Sequence, residues 1–292
     1  MLNPLLARHV FGDIFDQDDS DQLLFIGTMI GRNAAKGCRE TILGAGAGYH
    51  SGPYSLERRE VLCVRGPLTC KMLGIDRSFA AIDPAILTSR IYDSATSVSP
   101  GSVFMPHHST HASAGTELRA ICETIGLHYV SPLDDAEAII AKIAAARRVV
   151  TEALHGAVVA ESYDVPWVPV VFGSKVLAEK WLDFAASIGV EYQPVEIHTN
   201  IAFDGKVRFF DRVKYTVAKA GLGKDKHKYL PIRRATVSAL SALEGKLRDL
   251  MTSNFGLVRS AQVKAASIAR LDAAIGTFTE AFQSAAAKRT AS

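Results

Sequence analysis

From Leu23 to Ile188 the sequence alternates between two patterns: short apolar runs, and stretches in which apolar residues recur every three or four positions. A short apolar run bounded by turn residues predicts a buried strand, and helical spacing predicts the helices that cover a sheet. The predicted strands are Leu23–Ile26, Thr41–Leu43, Val61–Val64, Ala80–Ile82, Val103–Met105, His128–Val130, Arg148–Thr151 and Trp167–Phe172. The predicted helices are Pro67–Leu73, Thr116–Ile125, Asp134–Ala146, Gly156–Tyr163 and Leu177–Ile188.

This alternation of strands and helices is typical of βαβ units and a parallel sheet. The stretch Thr88–Gly101 is rich in Ser, Thr, Pro and Gly and is predicted to be a linker. The two series of βαβ units around it predict an α/β fold of two Rossmann-like domains facing across a cleft, in a glycosyltransferase-B-like arrangement. The predicted domains are residues 1–95 and 101–200, followed by a helical tail over residues 205–292.

The predicted tail differs in composition from the rest of the chain. It is rich in Ala from Ala235 to Ala287, and its apolar spacing predicts two helices with a break near Ser253–Gly256. The preceding stretch Gly221–Arg234 is basic. Its cations are Lys224, Lys226, Lys228, Arg233 and Arg234. A stretch of this kind is usually a solvated surface, and the alternative is a peripheral contact with anionic lipid headgroups.

Charge and cysteine content limit the classes of function. The net charge is +3, from 33 Lys and Arg against 30 Asp and Glu, and so small an excess predicts no nucleic-acid partner. The four cysteines form no C-x-x-C pair and lack zinc-site spacing, which favours buried, reduced thiols. No apolar run is long enough to span a bilayer, and the first residues lack the features of a signal peptide. These features predict a cytoplasmic protein whose membrane contact, if it has one, is peripheral at the inner face.

A histidine follows the predicted strand Arg148–Thr151. In the segment Thr151–Ala160 this strand leads into a turn that carries His155, and a helix is predicted from Gly156. Ligands bind at the carboxyl ends of strands in open α/β sheets, and the free N–H groups of a helix N-terminus attract anions. His155 is therefore the first candidate for a reacting group, and the alternative is a histidine that only caps the helix.

Thr151–Ala160, together with Val165-Pro166, resembles the signature of the polysaccharide pyruvyl transferases, in particular the branch that forms pyruvate ketals on exopolysaccharides. Further segments resemble the same family in the same order along the chain. They are Leu2–Leu5, Val64–Thr69, Asp83–Ala85, Phe104–His108 and Lys180–Phe184. Their joint order over roughly residues 1–195 is more specific than any single segment.

Two departures from the family pattern affect the expected site and sheet. Ala153 stands where the wider family often has an arginine, so one candidate residue for binding an anion is absent. The resemblance to the exopolysaccharide branch implies an alanine at this place. In the family a strand and an Asn-Phe-Gly-Asp loop precede the segment that Leu2–Leu5 resembles, whereas here the similar Phe11–Asp13 follows it. The resemblance therefore predicts a first sheet that lacks one strand and has an unpaired edge.

The resemblance implies transfer of pyruvate from phosphoenolpyruvate to a sugar or a lipid-linked oligosaccharide, with a cyclic ketal and phosphate as products and no cofactor. An acid must protonate the enol carbon and a base must take a hydroxyl proton, and the pKa of histidine, about 6.5, suits His155 to both roles. The planar guanidinium of Arg65 suits the carboxylate and phosphate of the donor, and the alternative is a pairing with a surface acid. The backbone N–H groups of Gly156 and Ala157 are further candidate donors.

Two charged residues have alternative interpretations. Glu152 either orients His155 or is a solvated charge at the rim of the site. Lys180 and Asp183 lie one helical turn apart, which predicts an ion pair on the helix surface, with the neighbouring Trp181 in the core. The resemblance adds the possibility that Lys180 contacts a ligand.

His107 is a candidate contact of the acceptor or of phosphate. With His108 and His111 it also raises the hypothesis of a metal site. The spacing of His107 and His111 would need a helix, whereas residues 109–110 are predicted to lie in a loop, so no metal site is expected.

Gly44, Gly46 and Gly48 follow the second predicted strand as G-x-G-x-G, which is not the dinucleotide-binding fingerprint. A glycine-rich turn lets the backbone approach a diphosphate, and it equally forms a tight turn beneath a helix. The family resemblance favours an acceptor diphosphate at Gly44 and Gly46.

Two rival functions fit the same architecture. One is a glycosyltransferase that uses a nucleotide sugar, and the other is a glycan-binding or scaffold protein without turnover. Stabilisation by uridine or guanosine diphosphate, and not by phosphoenolpyruvate, would favour the first. Acceptor binding without phosphate release would favour the second.

Overall fold

A computed structural model describes residues 2–15, 20–31, 37–48, 54–93, 101–172, 177–197, 200–203, 206–224, 227–228, 230–252 and 260–290. The strands are β1 Asp21–Leu24, β2 Arg39–Leu43, β3 Arg59–Cys63, β4 Ser102–Met105, β5 His128–Tyr129, β6 Arg148–Thr151, β7 Trp167–Val171, β8 Val195–Glu196, β9 Ile201–Ala202 and β10 Arg233–Arg234. The helices are α1 Leu2–Phe11, α2 Pro67–Leu73, α3 Thr88–Ile91, α4 His108–Ile125, α5 Ala136–Ala144, α6 Leu154–Ser162, α7 Ala178–Ser187, α8 Phe209–Lys219, α9 Val237–Thr252 and α10 Ala261–Thr290. Two 3₁₀ turns cover Arg77–Phe79 and Pro84–Leu87.

The chain forms two compact units, and neither is one continuous segment. Unit 1 comprises Met1–Ile91, Leu177–Tyr192 and Leu257–Ser292, and unit 2 comprises Tyr92–Val176 and Gln193–Gly256. The prediction of a mixed α/β fold with parallel sheets is confirmed. The division into consecutive domains stays a prediction, as does their arrangement across a cleft.

Unit 1 contains a parallel sheet in the order β1-β2-β3. Ile42 and Val64 have no exposed surface and lie in its core. Helix α10 packs against β2 and β3, and α2 packs against α7. Pro67 begins α2, where its missing N–H costs no hydrogen bond, and Gly74 ends the helix with a φ of +68°.

Unit 2 contains a parallel sheet in the order β5-β4-β6-β7-β8. From β4 the chain continues through α4 to β5 on one side, whereas from β6 it continues through α6 to β7 on the other side. The strand order therefore reverses between β4 and β6. In doubly wound sheets ligands bind in the crevice at such a switch point, outside the carboxyl ends of the strands.

The two helices predicted for the tail are present, and each one packs in a different unit. Helix α9 contributes Leu243, Leu247 and Leu250 to the core of unit 2, whereas α10 packs in unit 1. The predicted break at residues 253–256 lies outside the described residues, as does Lys226 of the basic stretch. Within the described ranges, none of the helices combines the length and the apolar character needed to cross a bilayer.

Three local predictions differ from the structure. Thr88–Ile91 forms α3 instead of a linker, and residues 94–100 of the predicted linker lie outside the described part of the chain. The predicted strand Ala80–Ile82 makes only an isolated bridge between Val64 and Ala80, because Asp83 caps the 3₁₀ turn that follows it. Helix α4 begins at His108, eight residues before the predicted start at Thr116.

The four cysteines are free thiols, and all of them are buried. Burial raises the pKa of Cys63 and of Cys122 to about 12. Burial, with the nearby charge of Asp183, raises the pKa of Cys70 to about 11. A raised pKa keeps a thiol protonated, and the reactive species is the thiolate.

We therefore expect Cys63, Cys70 and Cys122 of the folded protein to react slowly with a thiol reagent at pH 8. At this pH a pKa of about 11 leaves only about one thiolate in a thousand molecules. Mass spectrometry after a short pulse of iodoacetamide measures the labelled fraction, and the protein unfolded in urea is the control that labels fully. Rapid labelling of Cys70 in the folded protein would contradict the packing of α2 described above.

Candidate functional site

The switch point of the unit 2 sheet brings two predicted site residues together. Met105 ends β4 and is followed by Pro106 and His107, and Thr151 ends β6 and is followed by Glu152. The Glu152 backbone N–H donates to the Met105 carbonyl oxygen at 2.9 Å, so the two strand ends stay adjacent beyond the last ladder pair.

The Glu152 side chain is 1% exposed and joins three strand ends. Its Oε2 accepts a hydrogen bond from the backbone N–H of His107 at 3.0 Å, beyond β4. Its Oε1 accepts one from the N–H of Phe172 at 3.0 Å, beyond β7. The interpretation of Glu152 as a solvated rim charge is therefore wrong, because burial of this carboxylate is balanced by backbone donors. Its role in orienting His155 stays a prediction.

His107 is the N-cap of α4. Its Nδ1 lies 2.8 Å from the Ser109 hydroxyl and accepts a longer hydrogen bond, 3.4 Å, from the Ser109 N–H. The loop predicted at residues 109–110 is therefore wrong, since this capped turn already belongs to the helix. The ring centroid of His108 lies 4.1 Å from that of His107, whereas Nδ1 of His111 is 2.8 Å from the Tyr129 hydroxyl. Within the described ranges, no group of three or more His, Cys, Asp or Glu side chains could hold a metal ion.

His155 is the second residue of α6 and is half-buried at the carboxyl end of β6. Helix α6 begins two residues before the predicted start, after the N-cap Ala153. The Ala153 N–H donates to the Thr151 hydroxyl at 3.0 Å, which fixes the turn between strand and helix. The predicted place of His155, at a strand end and a helix N-terminus, is confirmed, and its role in catalysis stays a prediction.

Gly156 lets α6 approach the sheet closely. A Cβ at this position would lie 2.5 Å from the Thr151 hydroxyl oxygen and 3.1 Å from the Met105 sulfur. Its N–H donates to the Ala153 carbonyl at 2.9 Å, so an anion at Gly156 would compete with a bond of the first turn. Ala157 is fully buried. The two residues pack the helix, and their role as anion donors stays a prediction.

Two helix N-termini lie at the same switch point. Helix α4 starts directly after the β4 end, and α6 starts directly after the β6 end. The peptide dipoles of a helix give its N-terminus a partial positive charge, and its first N–H groups lack intrahelical acceptors. The two N-termini favour an anionic ligand beyond the ends of β4 and β6, although the His107 N–H is already bonded to Glu152, and His107 and His155 are the candidates there for proton transfer.

Arg65 lies in unit 1, and its side chain has no exposed surface. Its Nε donates to Asp183 Oδ2 at 3.0 Å, and its two terminal nitrogens donate to the Thr28 hydroxyl at 2.9 Å and to the Ala47 carbonyl at 3.3 Å. The predicted surface acid is in fact a buried partner, and a contact of Arg65 with the donor stays a prediction.

Asp183 also caps α2. It is 1% exposed, its Oδ1 accepts from the N–H groups of Leu68 and Thr69 at 2.8 and 3.0 Å, and its Oδ2 accepts from the Thr69 hydroxyl at 2.5 Å. The predicted Lys180–Asp183 surface ion pair is therefore wrong, because the packing of α7 against α2 turns this carboxylate inward. Trp181 is buried as predicted, at 2% exposure. Lys180 is half-buried on the same helix, and its contact with a ligand stays a prediction.

The glycine-rich turn packs against the same region of unit 1. A Cβ on Gly46 would lie 2.2 Å from the guanidinium carbon of Arg65. A Cβ on Gly44, which has a φ of +93°, would lie 2.2 Å from the Pro84 ring. These distances support the alternative of a tight, close-packed turn, and the diphosphate contact stays a prediction.

The predicted site residues thus form two groups, one in each unit. Unit 2 holds His107, Glu152, His155, Gly156 and Ala157, and unit 1 holds Gly44, Gly46, Arg65 and Lys180. Sequence reasoning missed Thr28 and Thr69 as partners and misassigned Asp183. Asp183 is 118 residues from Arg65, and no spacing or local pattern connects positions so far apart.

We expect Asp183→Asn to lower the free energy of unfolding by about 3–5 kcal/mol, because it leaves the buried Arg65 charge without its counter-ion. Glu179→Gln removes an exposed carboxylate from the same helix and should change this energy by less than about 0.5 kcal/mol. Urea unfolding followed by circular dichroism measures both variants. Equal stability of the two variants would show that the Arg65–Asp183 pair does not hold unit 1 together.

Comparisons with known proteins bear on the family of this chain. The sequence profile of the family described as polysaccharide pyruvyl transferase matches residues 12–173. The chain is 30% identical over 191 residues to the Succinoglycan biosynthesis protein ExoV of Rhizobium meliloti (strain 1021), an alignment that covers 64% of the chain and 60% of that protein. No solved structure matches the chain significantly. Because the family profile covers more than half of the sequence, this protein belongs to the polysaccharide pyruvyl transferase family.

Proposed function

We propose that the protein transfers pyruvate from phosphoenolpyruvate to two hydroxyl groups of a sugar in an exopolysaccharide or its lipid-linked precursor, forming a cyclic ketal. The observation that carries this proposal is the switch point of the unit 2 sheet, where α4 and α6 begin after adjacent strands, with His107 capping α4 and His155 in the first turn of α6. The name of the 30% identical relative, a succinoglycan biosynthesis protein, supports an exopolysaccharide as the acceptor.

The first half of the reaction adds one sugar hydroxyl to the donor. His155, as an imidazolium, gives a proton to the methylene carbon of phosphoenolpyruvate, which turns C2 into an oxocarbenium-like centre. A sugar hydroxyl attacks C2, and its proton returns to a basic group, so that a C–O bond forms while the phosphate remains attached. The α4 and α6 N-termini stabilise the donor's phosphate and carboxylate.

The second half replaces the phosphate. The C2–O bond to phosphate breaks, the leaving phosphate takes a proton from His155 or His107, and the second hydroxyl adds to C2 and gives its proton to that histidine. Of the two hydroxyl protons, one ends on the new methyl group and the other on the phosphate. The reaction therefore balances without an oxidant, a reductant or a metal ion.

Glu152 and Arg65 act in this proposal by positioning other groups. Glu152 fixes the backbone at His107, and Arg65 fixes the glycine-rich turn through its close packing on Gly46. The contacts of Gly44 and Gly46 with an acceptor diphosphate, and of Lys180 with a ligand, remain predictions. A cytoplasmic location and a glycosyltransferase-B-like pairing of the two units belong to the proposal and are predictions.

We expect His155→Ala to lower phosphate release from phosphoenolpyruvate by about 10²–10⁴-fold, the usual contribution of a general acid–base. His128→Ala, at an exposed histidine on β5 of the same sheet, is the matched control and should keep full activity. The assay measures phosphate released in the presence of pyruvate-free exopolysaccharide oligosaccharides. Unchanged release in His155→Ala would remove His155 from the mechanism.

His107 allows its capping role to be separated from a chemical role. Asn is a good N-cap, so His107→Asn should keep α4 and the melting temperature while it removes the imidazole. Lost activity with unchanged stability would support a substrate contact, and full activity would leave His107 as a cap only.

A rise in melting temperature with uridine or guanosine diphosphate, and none with phosphoenolpyruvate, would contradict the proposal and favour a glycosyltransferase.

A further inference from the structure

Helix α8 of unit 2 has an apolar face that is open to solvent. Phe209 and Phe210 are 74% and 73% exposed, and Val213 and Val217 are 44% and 40% exposed. Leu222, just beyond the helix, is 83% exposed. Several exposed apolar side chains so close together mark an interaction site more often than a solvated surface.

The four helical side chains lie on one side of α8. At about 100° per residue, positions 209, 210, 213 and 217 fall within an arc of about 100°. Ala218, which lies about 180° from Phe209 around the helix, is buried at 1% exposure, and the half-buried Asp211 and Tyr215 lie on the same side. The apolar face is therefore turned away from the buried side of the helix.

Cations border this apolar face. The exposed basic residues of the helix and the three residues before it are Lys206, Arg208, Arg212, Lys214 and Lys219. Arg208, Arg212 and Lys219 lie along one flank of the apolar arc, and Lys214 lies along the other. Asp211, the one acidic residue among positions 206–219, is half-buried.

We propose that α8 lies in the surface of an anionic lipid bilayer, with the Phe209–Phe210 pair inserted and the flanking cations against lipid phosphates. An apolar arc of phenylalanines between rows of Lys and Arg is the pattern of helices that lie in the membrane interface. The excess of positive charge, five Lys and Arg against one Asp over residues 206–219, selects this occupant over a second copy of the chain, whose identical rows of cations would repel each other. The proposed site is α8, and the basic stretch Gly221–Arg234, which follows it in the sequence, is not part of it.

The first experiment measures flotation of the full-length chain with vesicles. Vesicles of phosphatidylcholine with 30% phosphatidylglycerol should bind the protein, and vesicles of pure phosphatidylcholine should bind it far less. Phe209→Ser combined with Phe210→Ser should weaken binding by about tenfold or more, because each inserted ring buries a large apolar surface. Leu133→Ser removes an equally exposed apolar side chain elsewhere in unit 2, at 73% exposure, and should bind as the unmodified chain does.

A second pair of variants separates α8 from the basic stretch. Arg208→Gln, Arg212→Gln, Lys214→Gln and Lys219→Gln together should abolish the preference for phosphatidylglycerol, whereas Arg233→Gln with Arg234→Gln should leave it. Binding should also weaken with salt, since the screening length falls from about 10 Å at 0.1 M to about 3 Å at 1 M. Equal effects of the two sets of charge variants would overturn the assignment to α8.

Tryptophan fluorescence reports insertion directly. Phe210→Trp should shift its emission to the blue with anionic vesicles, and the native Trp167 and Trp181 are each only 2% exposed and should not respond. No binding of the unmodified chain to anionic vesicles at low salt would overturn the proposal. The proposal would also be overturned if the unmodified chain were a dimer in solution and the double variant Phe209→Ser, Phe210→Ser were a monomer. Neither readout depends on the proposed pyruvyl transfer.

Discussion

The buried carboxylate of Glu152 is the contact on which the candidate site depends. It follows β6 and accepts backbone hydrogen bonds from residues after β4 and after β7, so one side chain sets the spacing of three strand ends. Burying a carboxylate is costly unless donors replace water, and here two N–H groups do so. This arrangement also positions the start of α4, because His107, whose N–H donates to Glu152, is the N-cap of that helix.

In unit 1 a buried carboxylate likewise holds segments together, and there it is paired with a buried cation, Arg65. Arg65 and Asp183 are both almost fully buried, and each also satisfies groups of the turn and helix around it. Gly46 is part of this arrangement, since any larger residue would occupy the space of the guanidinium. A buried pair of this kind contributes little net stability compared with an apolar core, but removal of one partner is costly. The segments that resemble the family at residues 64–69 and 180–184 are thus joined by contacts within this unit.

The N-termini of α4 and α6 are the groups that the proposed anionic donor would meet at the switch point of unit 2. Helix N-termini supply positive potential without a buried cation, which suits a site where Ala153 replaces the arginine of the wider family. Helix α8 lies outside the segment 12–173 that the family profile matches. The match to the family therefore carries no information on the exposed phenylalanines of this helix.

The sequence by itself determined the elements and the place of His155. The hydrophobic periodicity predicts the parallel α/β fold, and it predicts the ends of most strands to within one or two residues. It also places a histidine at a strand end and a helix N-terminus. All of these features depend on local spacing. The periodicity fails where a distant partner decides the outcome. The local pattern places Asp183 on the surface, because only tertiary packing brings Arg65 to it. It leaves two roles open for Glu152, because the partners of this carboxylate follow other strands. It predicts a loop at residues 109–110, because a histidine cap has no common sequence signature. The strand order, which creates the switch point, is likewise a tertiary property, since the same strands in another order would place His107 and Glu152 apart.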